Sequence, residues 1–237
     1  MRRLIVNADD FGLSPGVNRG IIAAHEHGIV TSTSLLVRSG AAAAAAAYGR
    51  AHPRLSVGLH VDLGEWVYRD GEWVMRYEVV PAADAAAIAA EVDAQLAAFR
   101  RLLGRDPTHL DSHQHVHRDE PARGILERLG RALSVPVRDQ SPGIHYCGAF
   151  YGQTGEGEPL PDTLGTEALI AILRDLPGGV TELACHPGDG NDSGSTYGAE
   201  RAQELSTLCD PRIRNALQNL EIQLLPFGSV TTSVRPR

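Results

Sequence analysis

The chain has no lysine: all 22 of its basic residues are arginine. A lysine bridging two metal ions, which barrel hydrolases of phosphoesters or cyclic amides commonly need, is therefore missing. The arginine skew, with alanine-rich tracts at Ala41–Ala47 and Ala82–Ala90, fits codon bias rather than function. Cysteine is scarce. Cys147, Cys185 and Cys209 are odd in number, far apart and without CxxC spacing, which argues against a disulfide scaffold or a cysteine zinc knuckle. Positive charge is also in deficit. A net charge of −7 at pH 7 argues against nucleic acid or an anionic membrane surface as the main partner. No apolar run approaches a membrane span, and the stretch after Met1-Arg2-Arg3 is too short for a signal peptide. A soluble, cytoplasmic protein is expected.

At 237 residues and 43% apolar, the chain can build one α/β domain over 1–237 with a full core. No internal repeat or linker divides it. Short runs rich in β-branched residues predict strands at Leu4–Asn7, Ile29–Val37, Leu55–His60, Thr108–Ser112, Val135–Arg138, Val180–Cys185 and Ile222–Phe227. Helical patterns lie between them. One starts at Ser14-Pro15 and stops at Gly28, and another begins near Ser39. The rest cover Pro81–Leu103, Glu120–Leu133, Thr166–Leu176 and Gly198–Leu220. The alternation predicts a parallel sheet covered by helices. About seven strands fit a closed or nearly closed (β/α) barrel better than an open doubly wound sheet.

The densest chemistry is in Thr108–His117, where four of the ten histidines and Asp111 fall at every second position. In an extended segment that spacing puts side chains on one face, so several imidazoles would aim at one point. Neutral imidazole is a common metal ligand, and one or two ligands are expected here rather than four. Ionisable residues recur at other predicted strand ends: Asp9-Asp10, His60, Arg138-Asp139 and His186. In α/β barrels that end carries the active site. Neighbours such as Asp9 and Asp10 point to opposite sides of an extended chain, so one can bind a metal while the other stays free as a base. Adding His60 and His113 gives an Asp/His/His set with positions open for water and substrate, as hydrolytic metal sites require. Read singly, Asp10 is equally a helix cap, His60 a core histidine and His186 a turn residue. Cys185 reads as a buried structural thiol.

The motifs Asn7-Ala8-Asp9-Asp10-Phe11-Gly12-Leu13-Ser14, Gly58-Leu59-His60, Thr108-His109-Leu110-Asp111-Ser112-His113 and Cys185-His186-Pro187 occur in one order along almost the whole chain. Together they resemble the YdjC-like carbohydrate deacetylase family, which includes chitooligosaccharide deacetylases. The resemblance implies a distorted (β/α) barrel of the glycoside hydrolase/deacetylase type. It implies hydrolysis of an acetamido group on a sugar with one divalent metal ion, magnesium or zinc. Asp10, His60 and His113 would be the metal ligands. Asp9 would be the base acting on the attacking water, His186 the acid for the departing amine, and Arg138 a group orienting Asp9. Base and acid are expected on opposite sides of the amide. His115 and His117 are expected to support ligands or contact substrate, and Asp111 to fix an imidazole tautomer.

Both tryptophans, Trp66 and Trp73, lie in segment 64–80 with Tyr68 and Tyr77. The Asp70-Gly71 step predicts a hairpin flap whose aromatic faces suit pyranose rings, pack against the barrel, or meet a second subunit. Segments His145–Gly157 and Gly188–Tyr197 are further rim candidates. The expected partner is a small carbohydrate, with a homodimer as the default assembly. Two other readings stand beside this one: a metal-dependent barrel hydrolase of another substrate class, and a catalytically silent carbohydrate-binding protein on the same fold. A binder has no need of both Asp9 and His186, which favours hydrolysis.

Overall fold

The computed structural model describes residues 1–191 and 197–230. In chain order the elements are β1 (Arg2–Phe11), α1 (Pro15–Glu26), β2 (Ser32–Leu35), α2 (Ala42–Ala51), β3 (Ser56–Val61), β4 (Gly64–Arg69), β5 (Glu72–Glu78) and α3 (Ala85–Leu103). They continue with β6 (Leu110–Ser112), α4 (Ala122–Leu133), β7 (Ile144–Cys147), α5 (Thr166–Asp175), β8 (Gly179–Cys185), α6 (Gly198–Leu208), α7 (Pro211–Asn219) and β9 (Ile222–Leu224).

Seven strands form one parallel sheet in the order β6-β3-β2-β1-β8-β7, with β9 beside the N-terminal part of β1. This is the distorted (β/α) barrel architecture, curled rather than fully closed. Among the described residues, the sheet is continued beyond β6 only by a bridge from Leu110 to Val137. The central strand β1 reads Leu-Ile-Val-Asn-Ala with every residue buried, as expected of a parallel strand covered on both faces. Leu4, Val6, Val57, Leu59 and Leu183 are all fully buried there, each contributing roughly 1.5–3 kcal/mol of apolar transfer.

Helix starts follow the sequence. The Ser14 hydroxyl accepts from the Val17 N–H at 3.0 Å, and Asp84 accepts from Ala86 and Ala87 at the start of α3. Each such cap stabilises its helix by about 1 kcal/mol.

Four local expectations change. The run Val135–Arg138 is not a strand: Pro136 has no N–H to give, and only the bridge at Val137 forms. The strand in this region is β7, which overlaps the expected rim segment from His145 on. The single helix expected over Gly198–Leu220 is two, because Asp210 caps a new helix that has Pro211 in its first turn. The histidine segment is not extended: the chain leaves β6 at Ser112, and His113–Arg118 coils as a 3₁₀ turn.

The register sets one working edge. Ala8 pairs with Cys185 at the end of β8, and Val61 with Ser112 at the end of β6, so the C-terminal ends of these parallel strands share one edge of the sheet. At that edge Gly20 of α1 lies so close to Gly188 that a Cβ on it would be 2.3 Å from the Gly188 Cα. Only glycine lets the turn after β8 settle there. The hairpin β4–β5 stands apart as a two-stranded antiparallel ribbon, turning at Asp70 (φ 52°) and Gly71 (φ 87°).

Candidate active site

Asp9 and Asp10 lie where β1 breaks its pairing with β2. The register shifts between Ala8 and Phe11, and Asp10 takes a left-handed backbone (φ 68°). An aspartate held there is strained by about 1 kcal/mol or more, a cost typical of functional positions. The break separates the two carboxylates. Asp10 Oδ1 lies 3.1 Å from His113 Nδ1 and 3.4 Å from His60 Nε2. These three donors converge within 4.8 Å of one another.

His60 is oriented from behind. Its Nδ1 lies 2.8 Å from Asp111 Oδ1, which leaves Nε2 toward Asp10 and His113. Asp111 is held in turn by Ser34 at 2.5 Å and Arg138 at 2.9 Å. Burial disfavours a charged His60, but Asp111, Asp10 and Asp9 outweigh it and push its pKa up to about 10. So much negative charge around the imidazole invites a cation. A bound divalent ion would take over the charge that a proton otherwise supplies. The donor set of one carboxylate and two imidazoles fits such an ion.

Asp9 faces the other way. Arg138 grips it with two bonds, 2.6 Å to Oδ2 and 2.7 Å to Oδ1, and Asn7 donates to Oδ1 at 2.9 Å. Burial works against its ionisation, yet the Arg138 charge keeps its pKa below the ordinary carboxylate value. The fully buried Arg138 also holds Glu182 at 2.7 Å, so one guanidinium serves three carboxylates.

His186 Nε2 lies 3.8 Å from Asp9 Oδ2. The two groups expected on opposite sides of a substrate are therefore neighbours, because β1 and β8 are adjacent and in register. Burial pushes His186 down to about 4, which keeps the ring neutral near pH 7. Tyr151 and Tyr197 flank it edge-on, and Tyr197 stacks on Tyr151 at 4.8 Å.

The site opens into a cleft of about 810 Å³ lined by Trp66, Trp73, His115, Tyr146 and Tyr151 among others. Six expected residues thus meet around one point: Asp9, Asp10, His60, His113, Arg138 and His186. His115, Trp66 and Trp73 line the cleft wall. His117 does not. It is fully buried, with Ser112 Oγ 2.6 Å from its Nδ1, because the 3₁₀ turn folds it under the site. Its expected substrate contact is withdrawn. Cys185 is buried, its thiol bonded to the Asn7 carbonyl, as a structural thiol should be.

Two residues of α6 were not anticipated. Arg201 donates to Asp10 Oδ2 at 2.6 Å and to the His186 carbonyl at 3.1 Å. Glu204 accepts from the His186 N–H and, at 2.6 Å, from the Tyr197 hydroxyl. Arg201, Glu204 and Leu208, at i, i+3 and i+7, mark the buried face of the helix, a signal readable only once that face is known. The rim candidate Gly188–Tyr197 lies partly outside the described residues.

The YdjC-like protein family model matches residues 3–219. This chain belongs to the YdjC-like family. A carbohydrate deacetylase of Geobacillus stearothermophilus is 34% identical, the match covering 95% of this chain and 97% of that protein. A chitooligosaccharide deacetylase of Klebsiella pneumoniae is 36% identical, covering 97% and 99%. Among solved structures, a protein of Enterococcus faecalis provisionally named for cellobiose-phosphate cleavage superposes with a TM-score of 0.76. It is 26% identical, with 97% of this chain and 99% of that one covered. The YdjC-like fold thus spans nearly the entire chain. No helix among the described residues is long and apolar enough to cross a membrane.

Proposed function

We propose that this YdjC-like protein removes the acetyl group from an N-acetylated sugar or oligosaccharide by metal-assisted hydrolysis of the amide. The observation that carries the reading is the convergence of Asp10, His60 and His113 beside a separate carboxylate, Asp9, and a separate imidazole, His186. Relatives named as deacetylases, matched over nearly their whole length, support it.

Asp10, His60 and His113 would hold one divalent cation. When bound, the cation polarises the acetamide carbonyl and lowers the pKa of water at the site. The two imidazoles suit zinc, whereas magnesium would rely on the carboxylate and on water. Asp9, kept ionised by Arg138, takes a proton from the attacking water. His186 starts neutral, so the proton it gives to the leaving nitrogen must first reach it. Asp9 Oδ2, at 3.8 Å from Nε2, is the nearest source. Arg138 orients Asp9 and touches no substrate. His115, Trp66 and Trp73 are assigned to substrate contact, with the tryptophan rings stacking on sugar faces.

Acetate release is the test. Metal-stripped protein, with single divalent ions added back, would be assayed on a panel of N-acetylated sugars that includes N,N′-diacetylchitobiose. Metal-dependent acetate, abolished in Asp9→Asn, is expected. A stoichiometric metal with no acetate from any sugar would move the assignment to another hydrolase substrate or a silent carbohydrate-binding protein.

A further inference from the structure

Gln114 sits between His113, at the metal donor set, and His115, on the cleft wall. Its side-chain amide closes on the backbone of Trp66 in β4. Gln114 Oε1 accepts from the Trp66 N–H at 2.9 Å, and Gln114 Nε2 donates to the Trp66 carbonyl at 2.7 Å. One side chain thus imitates a neighbouring strand, giving Trp66 both bonds that a ladder partner would give.

Three further observations fall on the same contact. Gln114 (φ 49°, ψ 26°) and His115 (φ 56°, ψ 27°) both occupy the left-handed region, unfavourable for side chains of this kind. Such strain persists where the surroundings hold it in place, and it is often functional. The pairing of β4 with β5 also slips between Glu65 and Trp66, so the ribbon is bulged where Gln114 binds. Finally, Gly64 leaves room for the indole. A Cβ there would be 3.1 Å from the Trp66 ring and 2.9 Å from the Tyr77 carbonyl.

We infer that Gln114 is a positioning residue that sets substrate specificity, registering the hairpin's aromatic wall to the reacting centre. The inference rests on the deacetylase reading above and adds how recognition is tied to chemistry. Apart from its root, where the Tyr77 hydroxyl binds Asp62 at 3.1 Å, the hairpin is largely solvent-exposed. Gln114 is the strap further along it. Because the same short turn carries His113, a sugar ring placed against Trp66 is held at a fixed distance from the donor set. A substrate longer than one sugar is expected to benefit most, having rings to place against both walls of the cleft.

Gln114→Gly separates positioning from scaffolding. Glycine adopts the left-handed backbone freely, so the variant should melt no lower than wild type while losing the strap. Both tryptophans of the chain lie on this hairpin, so intrinsic emission reads its placement directly. We expect a red shift in emission, unchanged divalent-metal affinity by calorimetry, and a KM for N,N′-diacetylchitobiose raised about five- to tenfold with kcat retained. Gln114→Asn, too short to reach, should behave alike. Unchanged emission in both variants would overturn the strap whatever the substrate. A loss of kcat and metal together, with KM unchanged, would make Gln114 a scaffold residue and overturn the inference. No acetate from wild-type protein would instead sink the deacetylase reading, leaving emission to decide the strap.

Discussion

The two walls of the cleft are built on opposite principles. On one side, β1, β8, α6 and the segment at Arg138 bring Asp9, Asp10, Arg138, Arg201 and Glu204 together out of water, the four aspartate and arginine charges paired and Glu204 accepting from the His186 N–H and the Tyr197 hydroxyl. On the other, the β4–β5 hairpin exposes every residue of β5, with Trp73 at 59%. The first wall has its geometry fixed many times over, because an unpaired buried charge is too costly to tolerate. The second is held at its root and by one glutamine. Bond-making needs fixed donors and acceptors, whereas sugar faces of varying length need an adaptable surface, and the contrast follows that division.

Breaking the buried wall should do the most damage. Arg138→Met leaves Asp9, Asp111 and Glu182 buried without their shared cation. A loss of about 3–5 kcal/mol in urea denaturation is expected. A shift under 1 kcal/mol would show that the three carboxylates find other partners.

Asp9→Asn keeps the shape of that wall and removes only the carboxylate proposed as the base. Turnover should fall by about 10²–10⁴-fold with metal content intact. Metal loss in this variant would exchange the roles of Asp9 and Asp10. His113→Ala tests the junction of the two walls. Metal measured by elemental analysis should drop well below one ion per chain, and unchanged stoichiometry would shift the ligand to His115.

The buried wall should also be sensitive to acid. Burial pushes His109, His115 and His186 down to about 4 and His117 to about 3, so the fold keeps them neutral while the unfolded chain takes up protons from about pH 6.5 downward. The unfolded state then binds more protons, so these groups remove stability as pH falls from about 6.5 to 4. Glu182 and Glu204, raised by burial to about 7 and about 8, act the other way in that window. His60, already charged in the fold, acts with them but has nearly finished by about pH 6, so the four histidines outweigh the rest and the urea midpoint should decline from pH 6.5 to pH 5. A flat profile would mean that the histidines titrate normally.

The smallest effect belongs to the exposed wall. Trp66→Ala and Trp73→Ala should leave metal binding and melting temperature nearly unchanged while raising KM for an N-acetylated disaccharide about tenfold. An unchanged KM would leave the hairpin without a part in recognition.

Much of this was legible in advance. The strand–helix alternation announced the barrel, because apolar period and capping are local properties. The strand-end residues Asp9, Asp10, His60 and His186 could be picked out because a charged group directly after a buried strand is costly unless it is used. The histidine segment was the instructive miss. Period-two spacing predicts a shared face only if the chain stays extended, and two left-handed residues at Gln114 and His115 coil it instead, sending His117 into the interior. Arg201 and Glu204 were hidden for another reason. On an isolated α6 they look like ordinary surface charges, and nothing in their spacing says that the helix turns them inward.

The sequence by itself determined the parallel (β/α) architecture, the order of its elements and the residue types gathered at one end, since each depends on near-neighbour pattern. Only the tertiary structure decided which carboxylate meets the histidines, which histidine is lost to the core, and that Asp9 and His186 stand side by side. Those outcomes depend on sheet register and on a backbone break at Asp10, where residues as far apart as Asp10 and Arg201 must satisfy each other's charge in the absence of water.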